Sequence, residues 1–436
     1  MGSAGRDGIV DATIDIDADS LRTDIERTGD FGSVDAETGL GRTALPADDA
    51  NVRAREYLVE RMESVGLDVR VDAVGNIAGR WTPSAGDPNA APVVAGSHLD
   101  SVPRGGIFDG LLGVYAALEA VRAVRDSGVA VERPLEVVSF TGEEGTRFAD
   151  GVLGSSVAAG ELSVEDALDL SDGRVSLGTA LEEAGFRGTG RLDASEWHAW
   201  LELHIEQGGH LEEAGVPLGI VTDITGTTRG HVSIDGRAAH SGTTGMHARR
   251  DALVAASEFV LNVEETATEI ATTGTGTAVG TVGRLNPEPN VVNVVPGNVS
   301  MRLDLRSVDQ LEIDRQVRAV ETSLDDLEHE HGVETSLDIP YEIPPTRLSE
   351  RVRDTVETAA SRHGVETLTL HSGAGHDTMQ VANVTDAALL FAPSTGGYSH
   401  SPKEWADWSD CAVATRVLAE CLALLASNTE QHHTYE

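Results

Sequence analysis

The chain has 436 residues, 40% of them hydrophobic, enough for more than one buried core and too apolar for disorder. It carries 72 acidic against 32 basic residues, a formal net charge of −40, and the acidic side chains are spread along the chain instead of gathered in a tail. A field of that sign repels nucleic acid and anionic lipid, which excludes both as partners, and it suits a halophilic surface where salt screens the self-repulsion.

The N-terminal stretch, MGSAGRDGIVDATIDIDADSLRTDIERTG, has neither the basic nor the apolar region of a signal peptide, and Arg6 stands where myristoylation needs serine or threonine. No unbroken apolar run of about 18 residues occurs, so no membrane span is expected and the protein is placed in the cytoplasm. Helical spacing predicts a helix over 50–66 ending at Gly66, and LDVRVDAVGNIAGRW then alternates as strands do. VVAGSHLD reads as a buried strand running into a loop, GLLGVYAALEAVRAVRDSG as a helix, and RPLEVVSFTGEEG as a second apolar strand opening into a glycine-bounded loop. Residues 160–195 are acidic and irregular with short helical pieces, and WHAWLELHIEQGGHLEEAG brings His204 to the end of another apolar segment.

From about residue 218 the texture changes. GIVTDITGTTRGHVSIDGRAAHSG alternates, and a helix, strands and a second helix follow, giving two βαβ-like halves with antiparallel strands. Helix–strand alternation resumes with TRLSERVRDTVETAASRHG. The pattern is an α/β domain built from residues 1–218 and 336–436, interrupted by a domain inserted at 219–335. Two cysteines, Cys411 and Cys421, lie ten residues apart in one apolar helical stretch. That is roughly 15 Å of rise, too far for a disulfide, so they read as small buried hydrophobes.

In α/β sheets, ligands sit beyond the carboxyl ends of strands. Histidines and carboxylates collect there: His98, Asp109, Glu143, Glu144, His204 and His400. Imidazole and oxygen ligands without thiolate suit zinc, manganese, cobalt or nickel. Five ligands exceed one tetrahedral site. They suit two divalent metal ions sharing Asp109, whose glycine-rich loop can approach both, with His98 and His204 completing one ion and Glu144 and His400 the other. Glu143 is left free as a general base. Asp100, two residues after His98, is placed to accept the other ring N–H of that imidazole on its carboxylate.

The blocks GSHLDSVPRGGIFDG, SFTGEEGTRF, LELHIEQG, GRAAHSGTTGMHARRDAL, NVVPGNVSMRLDLR, SGAGHDTM and GGYSHSPKEW follow in this order over roughly residues 50–425. They resemble the signature blocks of the hydantoinase/carbamoylase amidases, a branch of the dimetal M20 peptidase-like hydrolases. The resemblance implies an α/β, aminopeptidase-like catalytic domain with a mixed central sheet flanked by helices, and an inserted, smaller α+β, ferredoxin-like domain for dimerisation and lid closure. It implies the ligand set above, with the histidine of LHIEQG, His204, where the wider clan uses a carboxylate. It also implies substrate contacts from His240, Asn293 and Arg306, with Gln207 and the main chain at Gly375 and His376 as further ones. His240 would donate to the tetrahedral oxyanion, and the Arg306 guanidinium would hold a substrate carboxylate in bidentate fashion. The implied activity is hydrolysis of the C–N bond of a linear ureido acid, an N-carbamoyl-L-amino acid first, with allantoate or N-carbamoyl-β-alanine as alternatives. A peptidase or N-acyl amino acid deacylase using the same metals stands further off. The implied partners are the small ureido acid and a second copy of the chain in a homodimer. The tail HHTYE matches none of the blocks.

Overall fold

The computed structural model describes residues 14–427, so the tail HHTYE and the first thirteen residues lie outside the described part. The chain divides into two compact units: Met1–Thr222 with Leu348–Leu370 and Gly375–Glu436, and Asp223–Arg347 with His371–Ala374.

In the first unit, four strands are buried along their whole length: Val93–His98, Leu135–Phe140, Ala199–Ile205 and Ala387–Ala392. They run parallel, in the spatial order Ala387–Ala392, Ala199–Ile205, Val93–His98, Leu135–Phe140. Strands covered on both faces have no solvent side to mark with polar residues, which is why AALLFA and most of AWLELHI read as continuous apolar runs. Antiparallel strands extend the sheet on both sides. Leu218–Ile224 pairs with Ala387–Ala392, and Ile77–Trp81 followed by Asp68–Val71 lies beyond Leu135–Phe140. The sheet is therefore mixed.

The helix Leu111–Ser127 is buried without a break from Leu111 to Val121 and packs on Val93–His98 and on the helix Trp408–Ala426. It begins directly after Gly110, so strand and helix hold the two ends of the loop that carries Asp109. The helix expected over 50–66 runs Asp49–Ser64 and is capped by Asp48, whose carboxylate accepts the Asn51 amide. Cys411 and Cys421 lie on Trp408–Ala426, both buried and unpaired, and burial pushes both thiols up.

In the second unit, the strands Gly226–Asp235, Val279–Glu288, Asn298–Ser307 and Glu334–Ile343 form one antiparallel sheet. Its order is Val279–Glu288, Asn298–Ser307, Gly226–Asp235, Glu334–Ile343. With the helices Ala252–Thr273 and Gln310–His331 the chain order is β-α-β-β-α-β. The core alternates along the two central strands, through Val232 and Ile234 and through Val299, Met301, Leu303 and Leu305. The boundary expected at 335 falls inside Glu334–Ile343, which pairs with Gly226–Asp235, and the second unit runs on to Arg347 and takes in His371–Ala374 as well. Glu334–Ile343 is an edge strand with acidic side chains outward, and it offers no apolar run to mark it. Among the described residues, no helix is long and apolar enough to cross a membrane.

Candidate active site

Three parallel strands of the first unit end on one edge of the sheet, and each delivers a site residue there. His98 closes Val93–His98, His204 is next to last in Ala199–Ile205, and Thr141, Gly142, Glu143 and Glu144 follow Leu135–Phe140 at once. Nε2 of His98 and of His204 lie 3.4 and 3.2 Å from Asp109 Oδ1. His400 Nε2 lies 3.6 Å from Asp109 Oδ2 and 3.2 Å from Glu144 Oε2. Asp109 thus turns one oxygen toward each of two clusters, His98 with His204 and Glu144 with His400, and the ligand atoms within each cluster all lie within 4.8 Å of one another. Glu143 Oε2 stands 3.7 Å from His98 Nε2 and belongs to neither cluster.

The donor set fits divalent ions. His98 Nδ1 lies 3.2 Å from the Asp100 carbonyl and His204 Nδ1 lies 3.0 Å from the Ile205 carbonyl. These contacts put the ring proton on Nδ1 and leave both Nε2 lone pairs facing Asp109, the tautomer a metal ligand needs. His98 Nε2 is buried without a hydrogen-bond partner, a costly condition for a polar atom unless something binds it. Histidine and carboxylate without thiolate match zinc, manganese, cobalt or nickel.

Asp100 acts differently from the sequence expectation. Its carboxylate Oδ1 lies 3.8 Å from His98 Nδ1, and its main-chain oxygen is the imidazole's acceptor instead. The carboxylate is committed elsewhere: it accepts the amides of Gly142 (3.2 Å), Glu143 (3.3 Å) and Glu144 (3.2 Å). Asp100 therefore orients the histidine with its backbone and the Glu143 loop with its side chain. At Gly110, φ is +69°, and a Cβ there would overlap the His98 ring, so only glycine lets Asp109 come up against that histidine. Gln207 Nε2 and Ser399 Oγ each donate to Asp109 Oδ2 at 2.9 Å.

Charge in the cluster is divided unevenly. Burial, with Glu144 and Asp377 nearby, pushes Glu143 well above the usual carboxylate range against the pull of His98. Burial and Asp109 raise Glu144 as well. Asp109 goes the other way: burial opposes its charge, but His204 and His98 hold it well below the usual range. Burial alone would favour a neutral His98, yet Glu143 and Asp109 keep its imidazolium far above the ordinary value. Glu144 holds His400 up to about 9.

The other predicted contacts divide between the units. Gln207 is fixed at Asp109, as above. His376 is buried with its ring centroid 4.6 Å from that of His204, edge to face, and burial and His204 push its pKa well down. Gly375 is exposed. In the second unit, His240 pairs with Val294, and the next amide, Ser241, donates to the Asn293 carbonyl at 3.0 Å. His240 Nδ1 accepts the amides of Gly242 and Thr243 at 3.0 and 3.2 Å, which puts the proton of the neutral ring on Nε2. Arg306 does not present an empty fork. Its Nε and Nη2 donate to Asp304 at 2.7 and 3.2 Å, and Nη1 donates to the Gly373 carbonyl at 2.6 Å.

Several buried groups around the cluster escaped the sequence reading. Arg42 Nη2 donates to the carbonyls of Leu99 (2.6 Å) and Asp100 (3.1 Å). Glu202 accepts Ser97 Oγ at 2.7 Å and Thr378 Oγ1 at 2.6 Å, and Asp377 accepts Ser155 Oγ at 2.5 Å. Glu404 Oε1 accepts the amides of Phe108 and Asp109 at 2.8 and 3.0 Å. Glu202 carried a signal, a lone acid inside the apolar run AWLELHI. Glu404 carried one too, in the block that holds His400. Arg42, in GLGRTALP, carried none.

Residues 94–424 match peptidase family M20/M25/M40, and the chain belongs to that family. It is 39% identical to an N-carbamoyl-L-amino acid amidohydrolase of Geobacillus stearothermophilus, over 92% of this chain and 97% of that one. It is 36% identical to an allantoate amidohydrolase of Bacillus subtilis (strain 168), over 84% of this chain and 88% of that one. A crystal structure of a hydantoinase/carbamoylase-family amidase from Burkholderia multivorans superposes with a TM-score of 0.87 at 33% identity, covering 95% and 98% of the two chains. Within the family, the protein is a hydantoinase/carbamoylase amidase, a hydrolase of carbon–nitrogen bonds.

Proposed function

We propose that the protein hydrolyses N-carbamoyl-L-amino acids to the free amino acid, ammonia and carbon dioxide. Two divalent metal ions would be held by His98, Asp109 and His204 and by Asp109, Glu144 and His400. The observation that carries this reading is the division of the two Asp109 oxygens between two clusters, with Glu143 beside them and outside both. Bound there, the cations would supply Lewis acidity toward the ureido carbonyl and a water of lowered pKa.

The chain's own residues do the rest. Glu143 takes a proton from the attacking water and returns it to the leaving nitrogen, and a carboxyl whose pKa is raised by burial is suited to holding that proton between the two steps. His240 donates from Nε2 to the oxyanion. Arg306, steadied by Asp304 and Gly373, receives the substrate carboxylate on its remaining N–H groups. Gln207 and the main chain at Gly375 and His376 complete the substrate contacts, and Asn293 lies beside His240. One water is consumed. The terminal nitrogen leaves as ammonia, and the carbamate that remains on the amino acid nitrogen releases carbon dioxide.

The 39% identity to the Geobacillus enzyme supports an N-carbamoyl-L-amino acid, and the 36% identity to the Bacillus enzyme supports allantoate as the second reading. Both substrates present a ureido group and a carboxylate. Ammonia release, and free amino acid for the acylated compound, are to be measured on metal-free protein given zinc, manganese, cobalt or nickel in molar salt. Substrates are N-carbamoyl-L-amino acids, allantoate, N-carbamoyl-β-alanine and an N-acyl amino acid. Fastest release from the first group is expected. Release from allantoate alone moves the assignment to the second reading, and cleavage of only the acylated compound makes the protein a deacylase. A halophilic salt profile and a homodimer belong to the same reading, checked by activity against salt and by sedimentation.

A further inference from the structure

We propose that Glu404 is a positioning residue that fixes Asp109 and ties it to the segment carrying His400, so that one buried carboxylate sets the second of the two cation sites. The inference rests on the two-metal reading above. Between His98 and Leu111 the chain has no helix or strand, yet it must deliver Asp109 to within reach of three histidines. Phe108 and Asp109 are buried, and their consecutive amides both donate to Glu404 Oε1, at 2.8 and 3.0 Å. Buried amides without an acceptor are strongly unfavourable, so this pair fixes the local backbone and with it the direction of the Asp109 side chain.

A second observation points the same way. A Cβ on Gly106 would overlap the Glu404 carboxylate, so glycine at 106 is what lets Glu404 lie beneath the loop. The other end of the link is His400. It is exposed, with φ +54°, and no strand carries it, unlike His98 and His204. Its segment grips Asp109 twice: Ser399 Oγ donates to Asp109 Oδ2, and Glu404, in a turn closed by its own amide on the Ser401 carbonyl, takes the Asp109 amide. The cluster of Asp109, Glu144 and His400 therefore depends on Glu404 more than the cluster built on the strands does. Glu404 Oε2 has no hydrogen-bond partner, so exchanging the carboxylate for an amide breaks no bond on that side.

The test is calorimetric titration of metal-free protein with zinc, alongside hydrogen exchange of the segment 105–110 before metal is added. Wild type is expected to bind two equivalents. Glu404→Ala and Gly106→Ala should keep the tighter affinity within about threefold and weaken the other by about 10–100-fold, the usual cost of losing an outer support. Exchange at 105–110 should quicken in both. Glu404→Gln keeps an oxygen for both amides and should match wild type in affinity and exchange. If Glu404→Ala does not fold, Gly106→Ala displaces the same carboxylate and carries the test. Two unchanged affinities, or two that fall equally, overturn the proposal. A wild type that binds fewer than two equivalents overturns the two-metal reading itself.

Discussion

Burial works against carboxylates in both units, with different outcomes. In the first, burial pushes Glu143 and Asp377 well above the usual range and raises Glu144, and it lifts Glu404 to about 8. In the second, burial works against Glu312 and Asp304 too, yet both are held below the usual range. Ser307 Oγ and the Thr275 amide and hydroxyl donate to Glu312 at 2.6, 2.6 and 2.8 Å. Arg306 and Arg229 donate to Asp304. The second unit supplies donors for both of these acids, the buried Glu312 and the half-buried Asp304. The first gathers acids on one sheet edge beyond what its own donors satisfy, and Asp109 is held below the usual range there chiefly by His204 and His98, against its burial. An acid satisfied by its own fold is part of the structure, whereas acids left over at a strand end are the mark of a cation site.

The largest effect should follow chelation. Stripping divalent metal is expected to abolish ammonia release and readdition to restore it, while a stripped protein that keeps a substantial rate would leave the excess acids without a purpose. Next, Glu143→Gln should lower kcat by about 10²–10⁴-fold with bound metal unchanged. Near-normal turnover would show that the raised carboxyl is not the base. Arg306→Met should raise KM by about 10–100-fold with little change in kcat, since hydrogen bonds to charged groups are worth about 1.5–3 kcal/mol. An unchanged KM would leave Arg306 as a partner for Asp304 and the Gly373 carbonyl only.

The two sets of acids also predict opposite pH dependences. A carboxyl raised in the fold binds more protons folded than unfolded, so its contribution to stability is lost as pH rises. In metal-free protein, the segment around Glu404 should exchange hydrogen faster as pH, with intrinsic exchange corrected, climbs from the ordinary glutamate value of 4.5 toward about 8, and the segment around Glu143 should follow the same direction. Bound metal should remove that trend. Glu312 and Asp304 are depressed, so their contribution is full above 4.5 and 3.8 and is lost as pH falls through their lower folded values. The same direction of change in both places would erase the contrast. Smallest of all, Ser307→Ala removes one donor from Glu312 and should cost about 1 kcal/mol, read as faster exchange confined to the second unit.

Much of this was legible in the sequence, for physical reasons. Buried parallel strands read as apolar runs, and the chemistry-bearing residues at their ends stood out against them, so the residues the structure brings together around Asp109 could be named in advance. Side-chain allegiance was not legible. Asp100 sits two residues from His98, which suggests a carboxylate–imidazole bond, but three amides of the Glu143 loop compete for that carboxylate and win. Arg306 reads as a free guanidinium because Asp304, two residues away on the same strand face, carries no mark of pairing in the sequence. Glu404 stood in the block that holds His400, but its partners were hidden for the opposite reason: they lie almost 300 positions back along the chain, joined to it only by the fold.

The decisive measurement is anomalous diffraction from crystals of zinc- or manganese-loaded protein, collected at the absorption edge of the added metal. Two peaks per chain are expected, one among His98, Asp109 and His204 and the other among Asp109, Glu144 and His400, with Asp109 touching both and Glu143 touching neither. A single peak, or a pair that leaves Asp109 to one side, would contradict the account.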